Sequence, residues 1–412
     1  MWVRKRIDIP VTDLMYGIAA CMRNHDRDEL QTQIESQWVP GQTFSCLSVR
    51  SGFDLLLQTM DWPAGSEILM SGMTIPHMPE IVRRHGLVPI GLDLDVGTLA
   101  VSAEEVRAKI TPRTRAIVIA HLFGGLTDIR PIIEIAREHD LLVIEDCAQA
   151  YVGNFYTGDQ DADVSMFSFG AIKTNTSLCG GVLNVRRRQL LEKMNRRHAA
   201  WPRQTRWTML KRLLKYGFVK LLSTWFMSSA VATALRLVGK DHDGLAVKLS
   251  RGFSGGDFFQ RIRQQPSSAL LSLMNRRFEN FDQQTVVKRT SWGLKINRAF
   301  QSVACMPGEE MKRPTWWVLP ILVEDPDRLT RYLWKHGFDG THSCSLAAVN
   351  DGDGGLPGVT FILKHIVFLP FDLKISPREM RRMVGLIRAY QPGKLEAPPV
   401  ARPMLTDRIV NN

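Results

Sequence analysis

A chain of 412 residues with 44% hydrophobic content has an ordinary globular composition and can bury a substantial core in two or three lobes. Its net charge of +12 is concentrated in residues 186 to 220, where twelve Arg or Lys face one acid, Glu192, leaving the rest nearly neutral. That distribution counts against a protein that binds nucleic acid over its whole surface. The six cysteines (Cys21, Cys46, Cys147, Cys179, Cys305, Cys344) form no CxxC pair, so neither a metal site nor a disulfide framework is expected, and reduced thiols fit a cytoplasmic protein. The basic start, MWVRKRIDIP, lacks the apolar run of a signal peptide.

In chain order, SVRSGFDLLLQTM (48 to 60) reads as a helix start, and SEILM (66 to 70) and LVPIGLDLD (87 to 95) as strands. VSAEEVRAKI then has helical spacing, RAIVIAHLF (115 to 123) is a strand, DIRPIIEIAREHD is again helical, and LLVIEDC (141 to 147) is a fourth strand. The alternation predicts an α/β fold. Strands this uniformly apolar belong to a mostly parallel sheet covered by helices on both faces. Ligands of such sheets sit beyond the carboxyl ends of strands, where Asp146 falls.

A lone acid ending a strand commonly caps the next helix. Here Gln149 follows three residues on, Ser168 lies in the strand-like VSMFSFG, and Lys173 comes five residues later. An acid for a pyridine nitrogen, a hydroxyl for a phosphate and a lysine for a covalent link together fit pyridoxal 5'-phosphate. Lys173 and Asp146 are the two charged members of that site, and the resemblance below makes them its catalytic pair.

With these residues in place, the sequence resembles the DegT/DnrJ/StrS aminotransferases, as a divergent subgroup. The likeness runs from about 46 to 185, through GSEIL, DLDVGTLAV, ITPRTRAIVIAHLFG, VIEDCAQA, FSFGAIKT and CGGVLNV. It resumes at RQQPSSALLSLMNRRF (263 to 278) and VFLPFDLKISPREMRRMVGLIR (367 to 388). The resemblance implies an aminotransferase of fold type I, with a large cofactor domain and a smaller α+β C-terminal domain. It implies that Lys173 holds pyridoxal phosphate and moves protons, that Asp146 keeps the ring nitrogen protonated, that Gln149 lies beside the ring and that Ser168 binds phosphate. Further implications are an amino donor, expected to be glutamate, a ketone acceptor such as a nucleotide-linked keto-sugar, and a homodimer. Two other readings stay open: a pyridoxal phosphate-dependent dehydratase, against which Lys173 argues, and a non-catalytic or regulatory membrane-associated protein.

Three departures matter. In the family's phosphate loop, Ser48 is retained while Val49 replaces Gly and Arg50 replaces Thr; a helix start still suits phosphate, and Arg50 can add a charged fork. Ile75 stands where the family stacks an aromatic on the ring, with His77 as a substitute two residues on. The segment that reaches the partner's phosphate reads RIRQQPSS, making Arg261 and Arg263 the candidates.

The third departure is an insertion from about 186 to 255, holding the basic cluster and then YGFVKLLSTWFMSSAVATALRLV (216 to 238). Its uncharged part, 221 to 235, is shorter than the roughly 18 to 20 residues that cross a bilayer. A helical hairpin on the core, a helix lying on an anionic membrane surface, and a nucleic-acid surface are the readings, the last disfavoured by the charge distribution. The membrane reading would make the acceptor lipid-linked and the enzyme peripheral at the inner face of the membrane.

The expected divisions are an arm (1–45), the cofactor domain (46–185), the insertion (186–255), a small domain with the dimer segment (256–390) and a disordered tail (391–412). VNDGDGGLPG (349 to 358) is expected to be a flexible loop, since it lacks the closing glutamate of a calcium loop.

Overall fold

The computed structural model describes residues 2, 7–222, 257–342, 345–349, 355–390, 395–396 and 398. Its centre is a seven-stranded sheet of β1 (Thr43–Cys46), β2 (Glu67–Ser71), β4 (Val88–Leu92), β5 (Thr114–Ala120), β7 (Leu142–Asp146), β8 (Val164–Ser168) and β9 (Gly181–Val185), in the order β1-β9-β8-β7-β5-β2-β4. From β4 to β8 neighbouring strands are parallel, and β9 and then β1 extend the sheet antiparallel. The four strands and two helices read from the apolar runs between 66 and 147 all form.

Alternation along the strands builds two cores. Ile117, Ile119 and Val143 face one side, with Val106 of α5 (Ala103–Lys109) and Ile132 and Ile133 of α6 (Arg130–Glu138). Ala116, Val118 and Ile144 face the other, against α3 (Val49–Met60), α4 (His77–Arg84) and α7 (Arg188–Ala199). Each fully buried aliphatic side chain contributes about 2 kcal/mol of transfer free energy, so a polar substitution on either face is costly.

A third layer joins segments distant in sequence. Helices α1 (Val11–Met22) and α2 (Arg27–Ser36) pack with α10 (Ser268–Glu279), and α8 (Arg206–Leu222) lies beside α1. Lys220 reaches the carbonyl of Ile7 at 3.3 Å while Arg206 reaches that of Arg23 at 2.8 Å, so α1 and α8 run antiparallel. Gly17 permits their approach, because a Cβ there would lie 2.8 Å from Leu213. The described part of 1–45 is built into the body of the fold: the edge strand β1 begins at Thr43, and α1 and α2 cover the core.

Past α9 (Phe258–Ile262), the C-terminal part contains α11 (Gln283–Phe300), α12 (Pro326–Lys335), α13 (Pro357–His365) and α14 (Pro377–Tyr390). The ladder of β11 (Leu319–Leu322) with β13 (Ile366–Leu369) is antiparallel, and its core includes Ile296, Phe300, Leu333 and Ile387. Two short ladders tie this part to the large sheet's loops: β10 (Arg313–Pro314) with β6 (Gly125–Leu126), and β12 (Ala347–Ala348) with β3 (Met73–Thr74).

Five cysteines are free and buried among the described residues, and no helix among them is long and apolar enough to cross a membrane. The uncharged stretch beyond Leu222, residues 350–354 of the Gly/Asp loop and most of the tail lie outside the described residues.

Candidate active site

Three parallel strands end together. Ala120 of β5 pairs with Asp146, and Asp146 pairs with Met166 of β8, so Asp146 and Ser168 emerge at the same edge. Asp146 accepts the N–H of Ala148 at 2.9 Å, the turn its side chain favours. Burial pushes its carboxyl up from the usual carboxylate range, against that hydrogen bond and the nearby charge of Lys173.

Lys173 sits in the loop between β8 and β9, and this loop is heavily fastened. Lys173 N–H donates to the Gly170 carbonyl at 2.9 Å, and the Thr176 hydroxyl donates to the carbonyls of Phe169 and Gly170 at 3.1 and 2.7 Å. Arg277 of α10 holds the loop from behind: it donates to Thr176 O at 3.1 Å and Asp8 O at 2.7 Å, and pairs with Asp13 at 2.9 Å. Asn175, at φ 54°, donates its side-chain amide to Arg277 O at 3.0 Å. These contacts position Lys173 without using its amine. Burial pushes that amine down to about 8, with Asp146 opposing and Arg50 reinforcing the shift.

Sequence reasoning missed the aromatic at this point. The Lys173 ammonium lies 4.3 Å from the ring centre of Trp317, whose indole N–H donates to Ile172 O at 3.2 Å. Gly124 lets the segment carrying Trp317 approach: at φ 91° it leaves room that a Cβ would fill 2.3 Å from the Trp317 nitrogen. Gln149 anchors the same corner by accepting the N–H of Phe123 at 3.0 Å. The tandem tryptophans in RPTWWVLP were the available signal. Arg289, half-buried and with its pKa lowered by desolvation, donates to Thr315 O and the Thr174 hydroxyl at 3.1 Å each and stiffens the corner further.

The phosphate-loop candidates form the start of α3. Ser48 is its N-cap, accepting Ser51 N–H at 3.2 Å, and buried Val49 opens the first turn. Gly181 crosses so close that a Cβ would meet the Val49 nitrogen at 2.6 Å. Arg50 lies here, its guanidinium 6.0 Å from the ring of Phe258, its pKa lowered by burial and by the charge of Arg212. Arg212 comes from α8 and donates to Leu178 O at 3.2 Å, two residues before Gly180 bridges to Ser48. The charge of Arg50 bears on Lys173 and that of Arg212 on Arg50, so positive charge gathers near the start of α3. Nothing in the sequence placed Arg212 there.

Three predicted residues have partners within this chain. His77 stacks on Phe258 at 4.3 Å, and half-buried Ile75 packs against the α3–α4 core. Arg263 makes a two-pronged bond to Asp54 of its own chain at 2.9 and 3.0 Å, and His85 meets the same carboxylate at 2.9 Å. Arg261 is exposed.

Beneath Asp146, His121, Glu145 and Cys147 place potential metal ligands within 4.8 Å of one another. Glu145, however, already takes hydrogen bonds from His121 at 2.7 Å, Ser165 at 2.6 Å, Asp159 N–H at 3.0 Å and Tyr156. The saturated carboxylate makes this a buttress below the site.

The donor set fits pyridoxal phosphate on its own chemistry. A buried acid lacking a full counter-charge suits a cationic ring nitrogen, an amine lowered to about 8 suits covalent attachment, and a cationic helix start suits a dianion.

Residues 21–216 match the sequence profile of the DegT/DnrJ/EryC1/StrS aminotransferase family. GDP-perosamine synthase of Caulobacter vibrioides is 36% identical over 153 residues, covering 36% of this chain and 41% of that protein. A putative L-glutamine:3-amino-2,3-dideoxy-scyllo-inosose aminotransferase of Streptoalloteichus tenebrarius is 37% identical over 129 residues, 31% of either chain. The matched stretches thus span about two-fifths or less of these relatives. Over whole chains the fold matches the aminotransferase TlmJ of Streptoalloteichus hindustanus (TM-score 0.68, 18% identity, 94% and 98% covered). It likewise matches Helicobacter pylori PseC, an aminotransferase involved in pseudoaminic acid biosynthesis (0.69, 13%, 95% and 99%).

Proposed function

Because this chain belongs to the DegT/DnrJ/EryC1/StrS aminotransferase family, whose cofactor is pyridoxal phosphate, we propose that it transfers an amino group to the carbonyl carbon of a keto-sugar. The observation that carries this reading is Lys173 held beside Asp146 at the strand ends, its amine pushed down to about 8. The partial relatives named for perosamine and aminocyclitol chemistry support the acceptor class.

Bound here, pyridoxal phosphate would supply an electron sink for bonds at the nitrogen-bearing carbon. Lys173 would hold it and, once displaced by the donor amine, carry a proton to and from the substrate carbon. Asp146 would set a negative charge against the ring nitrogen, relieving its own burial. Ser168, the first N–H groups of α3 and Arg50 would face the phosphate, with Arg212 behind them. Trp317 walls the amine on one side and limits water around it.

The finer reading is a homodimer using glutamate as donor, with a lipid-linked acceptor at the cytoplasmic face of a membrane. Arg263, which also holds Asp54, and exposed Arg261 are the two candidates for the reach to a neighbouring site, and Arg261 is the one whose loss leaves the Asp54 pair intact. Mixing inactive Lys173→Ala and Arg261→Ala chains should restore part of the activity. No recovery in heterodimers shown to form would remove Arg261 from that role.

The reaction class is tested with purified protein, glutamate and a panel of nucleotide-linked and lipid-linked keto-sugars, following 2-oxoglutarate and the amino product. Equal amounts of both support the reading. Loss of water from the sugar with no 2-oxoglutarate would replace it by the dehydratase.

A further inference from the structure

The antiparallel pair α1–α8 carries an unusual outer surface. On α1, Val11, Met15 and Met22 are 63%, 61% and 72% exposed, and on α8, Trp207, Leu214 and Phe218 are 68%, 57% and 61% exposed. At these spacings each set forms one stripe along its helix. Leu221, 58% exposed, continues the α8 set; of the other exposed large apolar side chains among the described residues, Val287 and Leu294 form a less exposed pair on α11, and Val88, Phe155 and Leu373 are scattered.

The stripes share a side of the pair. α1 meets α8 through Gly17 and Leu213, and it meets α10 through Asp13, bonded to Arg276 and Arg277, and through Tyr16, bonded to Ser272. With those two faces fixed, a turn of 100° per residue brings both stripes to the side away from α10. Cationic side chains accompany them: α8 has no acid, and at 100° per residue Lys211 and Lys215 fall beside its stripe, while Arg212 and Lys220 turn inward to the carbonyls of Leu178 and Ile7.

We propose that this outward face docks on an anionic lipid surface. Charge selects the occupant. A two-fold contact with a second copy through this face would bring Lys211 and Lys215 toward the same side chains of the copy, whereas an anionic leaflet offers them opposite charge. Aromatic and aliphatic side chains beside lysines are the pattern of a helix that lies in an interface. The proposal deepens the reading of a lipid-linked acceptor. It also moves the contact from the uncharged stretch of the insertion to a surface that the N-terminal helix shares.

The test is co-sedimentation of the full chain with phosphatidylglycerol-containing and with pure phosphatidylcholine vesicles, without substrate, so that docking and amino transfer can fail separately. Binding should require the anionic lipid, weaken as salt rises, and fall at least tenfold in Phe218→Glu and, independently, in Met15→Glu. Both variants should keep the wild-type circular dichroism, since neither side chain is buried. Failure to bind anionic vesicles at low salt would overturn the proposal, as would binding that both substitutions leave unchanged. A dimer measured by sedimentation velocity that both substitutions split, without vesicle binding, would assign the face to a second copy instead.

Discussion

Lysine 173 should titrate far from an ordinary lysine, and its two charged neighbours should move the midpoint in opposite directions. Its amine is pushed from 10.5 down to about 8 by burial, with Asp146 raising it and Arg50 lowering it. At pH 7 roughly one molecule in ten then holds a neutral amine, against about one in 3,000 for a free lysine. Because the folded value is the lower one, the reactive fraction grows tenfold per pH unit and levels off above about 8. Removing the opposing charge with Asp146→Asn should lower the midpoint by about one unit or more, and Arg50→Met should raise it. The assay is the rate at which apoprotein captures pyridoxal phosphate, followed by stopped-flow absorbance across this range and corrected for ionisation of the free cofactor. A midpoint near 10.5, or a rise in Asp146→Asn, would refute the reasoning.

Asp54→Ala should cost about 3 kcal/mol in urea unfolding, because it strands Arg263 and His85 around a buried gap; a loss under about 1 kcal/mol would show that the pair is dispensable. Glu145 is held down to about 2 by its donors despite burial, so its contribution to stability is full above 4.5 and is lost as pH falls toward 2. Glu145→Gln should flatten that acid limb, and an unchanged limb would place acid sensitivity elsewhere. Arg212→Gln should weaken affinity for pyridoxal phosphate about tenfold or more while leaving that for pyridoxal unchanged, measured by equilibrium fluorescence; equal losses for both would remove Arg212 from phosphate recognition.

The parallel sheet was legible because its strands are apolar runs separated by helical spacing, and the strand-end position of Asp146 followed from that alone. Asp146 and Lys173 stood out because their side chains are chemically rare in such a place, and the structure sets their charges within reach of each other. Arg212, Arg277 and Arg289 did not stand out, because an arginine reads as surface until the fold shows what surrounds it. Arg277 in MNRRF looks like one of two solvated charges, yet it fastens the lysine loop to α1 and the N-terminal segment. Trp317 was hidden by distance, 144 positions after Lys173. Arg263 shows the converse: resemblance aimed it at a partner, while a buried acid in its own chain holds it.

Covalent capture at one residue tests the central claim most directly. Purified protein loaded with pyridoxal phosphate, reduced with borohydride and digested should carry the pyridoxyl mass on the peptide containing Lys173, with none in Lys173→Ala. Modification of another lysine at wild-type level, or of none, would contradict the account.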